Sequence, residues 1–149
     1  MSLSTTLIKS IQDIMRQDAG VDGDAQRLSQ ISWLLFLKIF DDQESELEIL
    51  RDDYVSPIPD DLRWRHWAAD AEGLTGDALL DLVNNRLFAA LKGLNADLAR
   101  DPRAAVVQAV FEDAFNYMKS GQLLRQVINK INEIDFNNQQ ERHLFNDLY

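Results

Sequence analysis

Leu28-Ser29-Gln30-Ile31-Ser32-Trp33-Leu34-Leu35-Phe36-Leu37-Lys38-Ile39-Phe40 decides the fold. Its apolar residues fall almost all round a helical projection, neither on one stripe nor in strict alternation. That is the pattern of a helix covered on most sides. The spacing predicts a helix from about Ala25 to Asp52, with Asp22-Gly23-Asp24 as the turn before it and Asp24 or the residue before it as its cap. The second half narrows to a stripe of Leu47, Leu50 and Tyr54 beside an acidic face. The apolar stretch from Ile31 to Phe40 is too short to span a bilayer and is broken by Ser32 and Lys38, so a cytoplasmic protein without a membrane segment is expected.

On the N-terminal side, Leu3, Leu7, Ile8, Ile11, Ile14 and Met15 recur at helical spacing, with Ser2 or Ser4 as cap and Gly20 as the stop. On the C-terminal side, Pro57 and Pro59 place a loop before Leu62-Arg63-Trp64-Arg65-His66-Trp67, which reads as a short helix or an extended piece. Asp77 opens a long helix with Leu79, Leu82, Val83, Leu87, Leu91, Leu94 and Leu98 on one face. Asp101-Pro102 starts another, with a capping aspartate and proline at the first helical position. Its apolar face is Val106, Val107, Val110, Phe111, Phe115 and Met118, with a break near Glu112-Asp113. Ser120-Gly121 begins a helix buried through Leu123, Leu124, Val127, Ile128 and Ile131. A last helix is expected from Gln139, with Leu144, Phe145 and Leu148 as its face. It carries a start signal and no stop signal, so the expectation is a helix that continues beyond Tyr149 in a longer protein. These elements predict an all-α fold. It is one bundle-like or orthogonal domain over residues 1–149 with about six helices and at most a minor extended piece near 55–67.

Composition narrows the chemistry. The chain has no cysteine, which excludes a disulfide, a thiolate zinc site and a cysteine nucleophile. His66 and His143 lie far apart and no metal site is expected. No two glycines are spaced G-x-G, and the phosphate-loop, H-E-x-x-H and G-x-S-x-G patterns are absent. Glu112 and Asp113 are adjacent on a helix and so point about 100° apart, which prevents them from converging as a catalytic pair. No catalytic, cofactor-binding or metal-binding residue is assigned.

The formal net charge is −10, which opposes simple electrostatic attraction to nucleic acid. The acid is concentrated, however. Asp41, Asp42, Glu44, Glu46, Glu48, Asp52, Asp53, Asp60 and Asp61 stand against Arg51 alone. This run reads as a solvated helix face or as a surface for a basic partner. Arg63-Trp64-Arg65-His66-Trp67 reads in two ways. Interleaved arginine and tryptophan can hold phosphates and stack on bases. Alternatively, Trp64 and Trp67 anchor a loop on the core while Arg63 and Arg65 cover apolar surface or pair with nearby acids. Lys119, Arg125 and Lys130 form a weaker basic surface. These seven residues, Arg63, Trp64, Arg65, Trp67, Lys119, Arg125 and Lys130, are the candidate contacts to DNA or to a partner.

Several segments together resemble the start of the modification subunit of type I restriction–modification systems. They are the first helix and its turn, Ala25 through Asp42, and Ile58-Pro59-Asp60-Asp61-Leu62-Arg63-Trp64, similar to that family's P-x-x-x-x-W loop. Leu123 through Phe136 and Asn146-Asp147-Leu148-Tyr149 resemble the approach to its catalytic domain. The resemblance covers nearly the whole chain. It implies a parent adenine-N6 DNA methyltransferase that uses S-adenosylmethionine. The glycine-rich cofactor loop and Asn-Pro-Pro-aromatic motif of that catalytic domain are not in this sequence, whose prolines are Pro57, Pro59 and Pro102. The resemblance therefore implies a non-catalytic N-terminal domain, cut before the methyltransferase fold and holding no cofactor itself. The implied partners are a specificity subunit, a second modification subunit, a restriction subunit and DNA, around which the helical domains close while a flipped adenine is methylated next door. The alternative is an independent DNA-binding module built on the Arg63–Trp67 cluster; a small helical enzyme has no constellation to support it.

Overall fold

A computed structural model describes residues 3–94 and 101–134. The elements are α1 (Leu3–Met15), α2 (Asp24–Leu50), α3 (Trp64–Trp67), α4 (Gly76–Asp81), α5 (Phe88–Lys92), α6 (Pro102–Glu112) and α7 (Gly121–Ile131). Short 3₁₀ turns occupy Ala19–Val21 and Asp60–Leu62. No strand forms among the described residues, so the 55–67 piece is a loop, a 3₁₀ turn and a single helical turn. The helix expected from Gln139, together with Leu98, lies outside the described residues.

The long helix forms as its apolarity requires. Ile31, Trp33, Leu34, Leu35, Leu37 and Phe40 are all buried, which no single-sided helix could achieve. At 27 residues α2 is about 40 Å long and spans the domain. Trp33 meets Phe88 of α5 edge-on at 4.9 Å, and Phe88 meets Phe111 of α6 at 5.2 Å. This edge-to-face arrangement matches positive ring edges with negative ring faces and locks three helices together. On the other flank α1 packs on α7 through buried Leu7, Ile11 and Met15, against Leu124, Val127, Ile128 and Ile131 in one core.

The caps follow local chemistry. Asp101 accepts a hydrogen bond from the Ala104 amide at 3.1 Å, with Pro102 opening α6, and Ser120 accepts from the Leu123 amide at 3.1 Å to start α7. At the head of α2 the cap residue is Gly23, whose amide donates to the Gln26 side chain at 3.0 Å.

Three expectations need correction. The long helix from Asp77 is interrupted by a π turn at Leu82–Leu87, between α4 and α5. The reason is visible in the apolar spacing. Leu79, Val83, Leu87 and Leu91 are each four residues apart, a spacing that drifts round a regular α-helix and that the wider i→i+5 turn brings back onto one buried face. Second, α6 ends at Glu112 where the break was expected, but its apolar face is smaller than the spacing suggests: Phe115, beyond the helix, is 59% exposed and Val106, within it, is exposed as well. Third, the stripe assigned to the second half of α2 is only partly covered: Leu47 and Tyr54 are half-buried, but Leu50 is 78% exposed. Leu28, at the other end of the apolar stretch, is also exposed.

Candidate functional site at the acidic end of α2

The residues that turn inward from the second half of α2 are acids. Asp41 and Glu44 are buried, and Glu44 is only 1% exposed. Buried carboxylates need partners, and the Arg63–Trp67 corner supplies them. Arg65 Nε donates to Asp41 Oδ1 at 2.9 Å and its Nη1 to Glu48 Oε2 at 3.0 Å. Arg63 Nη2 donates to Glu48 Oε1 at 2.7 Å and lies 3.4 Å from Glu44 Oε1. Tyr54 completes the set, its hydroxyl donating to Glu44 Oε2 at 2.7 Å.

The electrostatics follow this geometry. The hydrogen bond from Arg63, aided by Arg65, holds the Glu48 carboxyl below the usual carboxylate range against the opposing effect of burial. Burial works against charge on Arg65, but the hydrogen bond and charge of Asp41, with Glu48, outweigh it and the guanidinium is held more firmly protonated. Burial, with the Glu44 hydrogen bond and charge, pushes the Tyr54 hydroxyl up to about 12.

Both tryptophans are committed as well. Trp64 and Trp67 are buried and meet edge-on at 5.5 Å. Trp64 Nε1 donates to Asn132 Oδ1 at 2.8 Å and Trp67 Nε1 to the Leu62 carbonyl at 2.9 Å. The cluster is thus brought together as the sequence spacing suggests, but its rings are turned inward and its cations bind the acidic helix face. In this arrangement neither ring presents a face for a base.

Lys119, Arg125 and Lys130 do not make one surface. Arg125 is 5% exposed and donates to the carbonyls of Trp67, Ala68, Asp70 and Leu74 at 2.7–3.0 Å. Burial lowers its pKa, with the charge of Asp70 opposing. Lys130 lies 3.6 Å from Glu133, and Lys119 is exposed.

A second buried polar group escaped the sequence reading. Asp18 accepts from the Gly20, Lys119 and Ser120 amides at 2.8, 3.0 and 2.9 Å. Gln30 Nε2 donates to Asn116 Oδ1 at 2.8 Å, and Gln30 Oε1 accepts from the Tyr117 amide at 2.8 Å. The one available signal was Gln30 itself, a polar residue inside the most apolar helix. Such a residue must find partners or destabilise the core.

What remains outward at this end is apolar with an acidic border. Ile49 and Val55 are each 82% exposed, close to Leu50, the three most exposed large apolar side chains described. Glu46, Asp52 and Asp53, neighbours in sequence, are exposed as well. No group of three or more histidine, aspartate or glutamate side chains suited to a metal ion occurs among the described residues. The arrangement offers a surface for a complementary partner.

The HsdM N-terminal domain family model matches residues 5–131. The type I restriction enzyme EcoEI methylase subunit of Escherichia coli is 66% identical over 149 residues, which is all of this chain and 30% of that protein. The crystal structure of a modification subunit assigned to a type I restriction enzyme of Vibrio vulnificus YJ016 superposes with a TM-score of 0.84 at 38% identity, over 98% of this chain and 33% of that one. A structure solved for the assembly and conformational transition of the type I R-M system gives 0.81 at 32% identity, over 97% and 28%. The chain therefore spans about a third or less of each relative's length. With an all-helical fold shared almost end to end and the family model matched over most of its length, the chain belongs to the HsdM N-terminal domain family of type I restriction–modification methylase subunits.

Proposed function

We propose that the chain is the non-catalytic N-terminal domain of an adenine-N6 DNA methyltransferase subunit, and that it acts in the cytoplasm by holding subunits together and closing around DNA. The observation that carries this reading is the uncovered Ile49–Leu50–Val55 knuckle with its carboxylate border. Large apolar side chains left this exposed within one short stretch of chain mark a candidate protein interaction site. The carboxylates around them select a partner whose apolar face has a basic edge. The specificity subunit is the assigned occupant; a second modification subunit and the restriction subunit complete the assembly. S-adenosylmethionine would be bound outside this chain, because the sequence holds no glycine-rich turn to cradle it.

The test uses the whole modification subunit and its specificity subunit. Replacing Ile49, Leu50 and Val55 together by serine is expected to weaken their association by roughly tenfold or more, with thermal stability unchanged. Unchanged association would overturn the assignment of this surface. Calorimetric binding of S-adenosylmethionine to the 149-residue chain alone would overturn the non-catalytic reading.

A further inference from the structure

A second surface differs from the acidic knuckle in the sign of its charge. Between α5 and the 113–120 segment lies a cleft of about 510 Å³, within the range of about 300–1,000 Å³ usual for small-ligand sites. Lys92 and Lys119 line it, with Asn84 and Asn116 and the aromatic pair Phe115 and Tyr117. None of its described lining residues is acidic, although the chain carries 25 acidic side chains against 15 lysines and arginines. In such a chain a cleft with two ammonium groups and no carboxylate selects an anion.

The aromatic pair adds a second requirement. Phe115 is more than half exposed and packs edge-on against Tyr117 at 4.9 Å. An exposed phenyl ring on a loose loop would mean little, but this loop is pinned. The Tyr117 amide is held by Gln30, the Lys119 and Ser120 amides by Asp18, and Asn116 Nδ2 donates to Asn84 Oδ1 at 2.9 Å. The backbone on either side of Lys119 is thus fixed from inside the core. The loop that carries Phe115 and Lys119 is therefore ordered before binding, which spares that part of the ordering cost, and Lys92 stands 5.9 Å from the Phe88 ring centroid.

We propose that this cleft binds a DNA strand, with Lys92 and Lys119 on its phosphates and Phe115 against the adjoining sugar and base. The occupant must be anionic and must also offer a flat apolar face, and a nucleotide unit meets both conditions. The choice of DNA over an acidic, aromatic-containing protein segment rests on the function proposed above; that segment is the competing occupant.

The experiment measures binding of the intact modification subunit to short fluorescent single-stranded and duplex DNA as salt is varied. Lys92→Ala with Lys119→Ala is expected to lower the slope of log affinity against log salt by roughly 0.7–0.9 for each phosphate that is no longer neutralised. The affinity itself is expected to fall by about tenfold at moderate salt. Phe115→Ala is expected to weaken single-strand binding by at least about fivefold with little change in slope. Lys92→Arg with Lys119→Arg, which keeps both charges, should restore the slope, separating charge from any folding defect. An unchanged slope and affinity in the double alanine variant overturns the proposal. So does a variant that keeps DNA binding and loses the specificity subunit, which would make the occupant protein. Association with the specificity subunit is read separately with the knuckle variant, so either proposal can fail without the other.

Discussion

Arg125 on α7 donates from Nη2 to the backbone carbonyl of Trp67 at 3.0 Å, across 58 residues of chain. Its other nitrogens reach the carbonyls of Ala68, Asp70 and Leu74. One planar fork thus closes the end of α3 and the turn that follows it, where the backbone has no helical partner for these oxygens. Arg125→Met keeps much of the length and removes every donor. Ala68 keeps the Asn132 side-chain amide and Asp70 keeps the Gly73 amide, so the loss falls on the Trp67 and Leu74 carbonyls and is expected to cost about 2–4 kcal/mol, measured by chemical denaturation. Arg125→Lys should recover little, because an ammonium cannot span the same set of acceptors. A variant within about 1 kcal/mol of the parent would mean that these carbonyls find water instead.

Asp18 performs the equivalent task just before the start of α7. It caps the Ala19–Val21 turn and receives the amides that begin α7. Asp18→Ala is expected to cost about 2–4 kcal/mol, the loss of charge-assisted bonds to several buried amides. Amide exchange at Lys119 and Ser120 should accelerate more than exchange in the centre of α2. Equal acceleration throughout would show a global loss of stability with no local hinge at this loop.

The charged corner sets the pH response at both extremes. The folded pKa of Glu48 lies below its ordinary value of 4.5, so its contribution is complete above that pH and is lost as pH falls toward the lower folded value. Glu48 is partly exposed, so the effect is modest. Glu48→Gln should reduce stability at neutral pH and flatten the acid limb. The folded pKa of Tyr54 is raised from 10.0 to about 12. Its contribution is complete below pH 10 and is lost as pH rises from there to about 12. Tyr54→Phe should flatten that alkaline limb while lowering stability at pH 7 by about 1–2 kcal/mol, because Glu44 Oε2 loses its donor. Denaturation midpoints from pH 3 to 11 check both signs.

The parts legible in sequence were those set by neighbours along the chain. Apolarity all round 31–40 required a central helix, and Asp101-Pro102 and Ser120 capped the helices expected of them. The π turn was invisible because a fixed helical period absorbs a four-residue spacing as scatter. The burial of Arg125 was also invisible, since its acceptors are carbonyls more than 50 residues away and carry no side-chain signature. Of the candidate cluster, the membership was readable and the direction was not. Arginine beside tryptophan looks the same whether it faces DNA or Asp41, and only the position of α2 decides. Leu50 shows the same limit, because a pattern can mark an apolar face without saying whose surface covers it.

Two glycines on facing helix ends separate close approach from backbone strain. Gly76 opens α4 at φ +59, the one positive φ among the described residues, with open space where a Cβ would stand. Gly121 opens α7, and a Cβ built there would overlap the Gly76 carbonyl and Cα. Gly76→Ala therefore meets only the cost of a left-handed residue, about 1–2 kcal/mol. Gly121→Ala must push α4 and α7 apart, and since the obstacle is backbone it cannot be relieved by a rotamer change. Overpacking of this kind costs about 1–3 kcal/mol or more. The displacement also reaches Leu74, whose carbonyl is held by Arg125 at 2.7 Å just before α4 begins. Gly121→Ala is thus expected to lower the melting temperature more than Gly76→Ala does. A larger loss at Gly76 would mean that the left-handed turn and not the close helix approach sets the α4–α7 spacing.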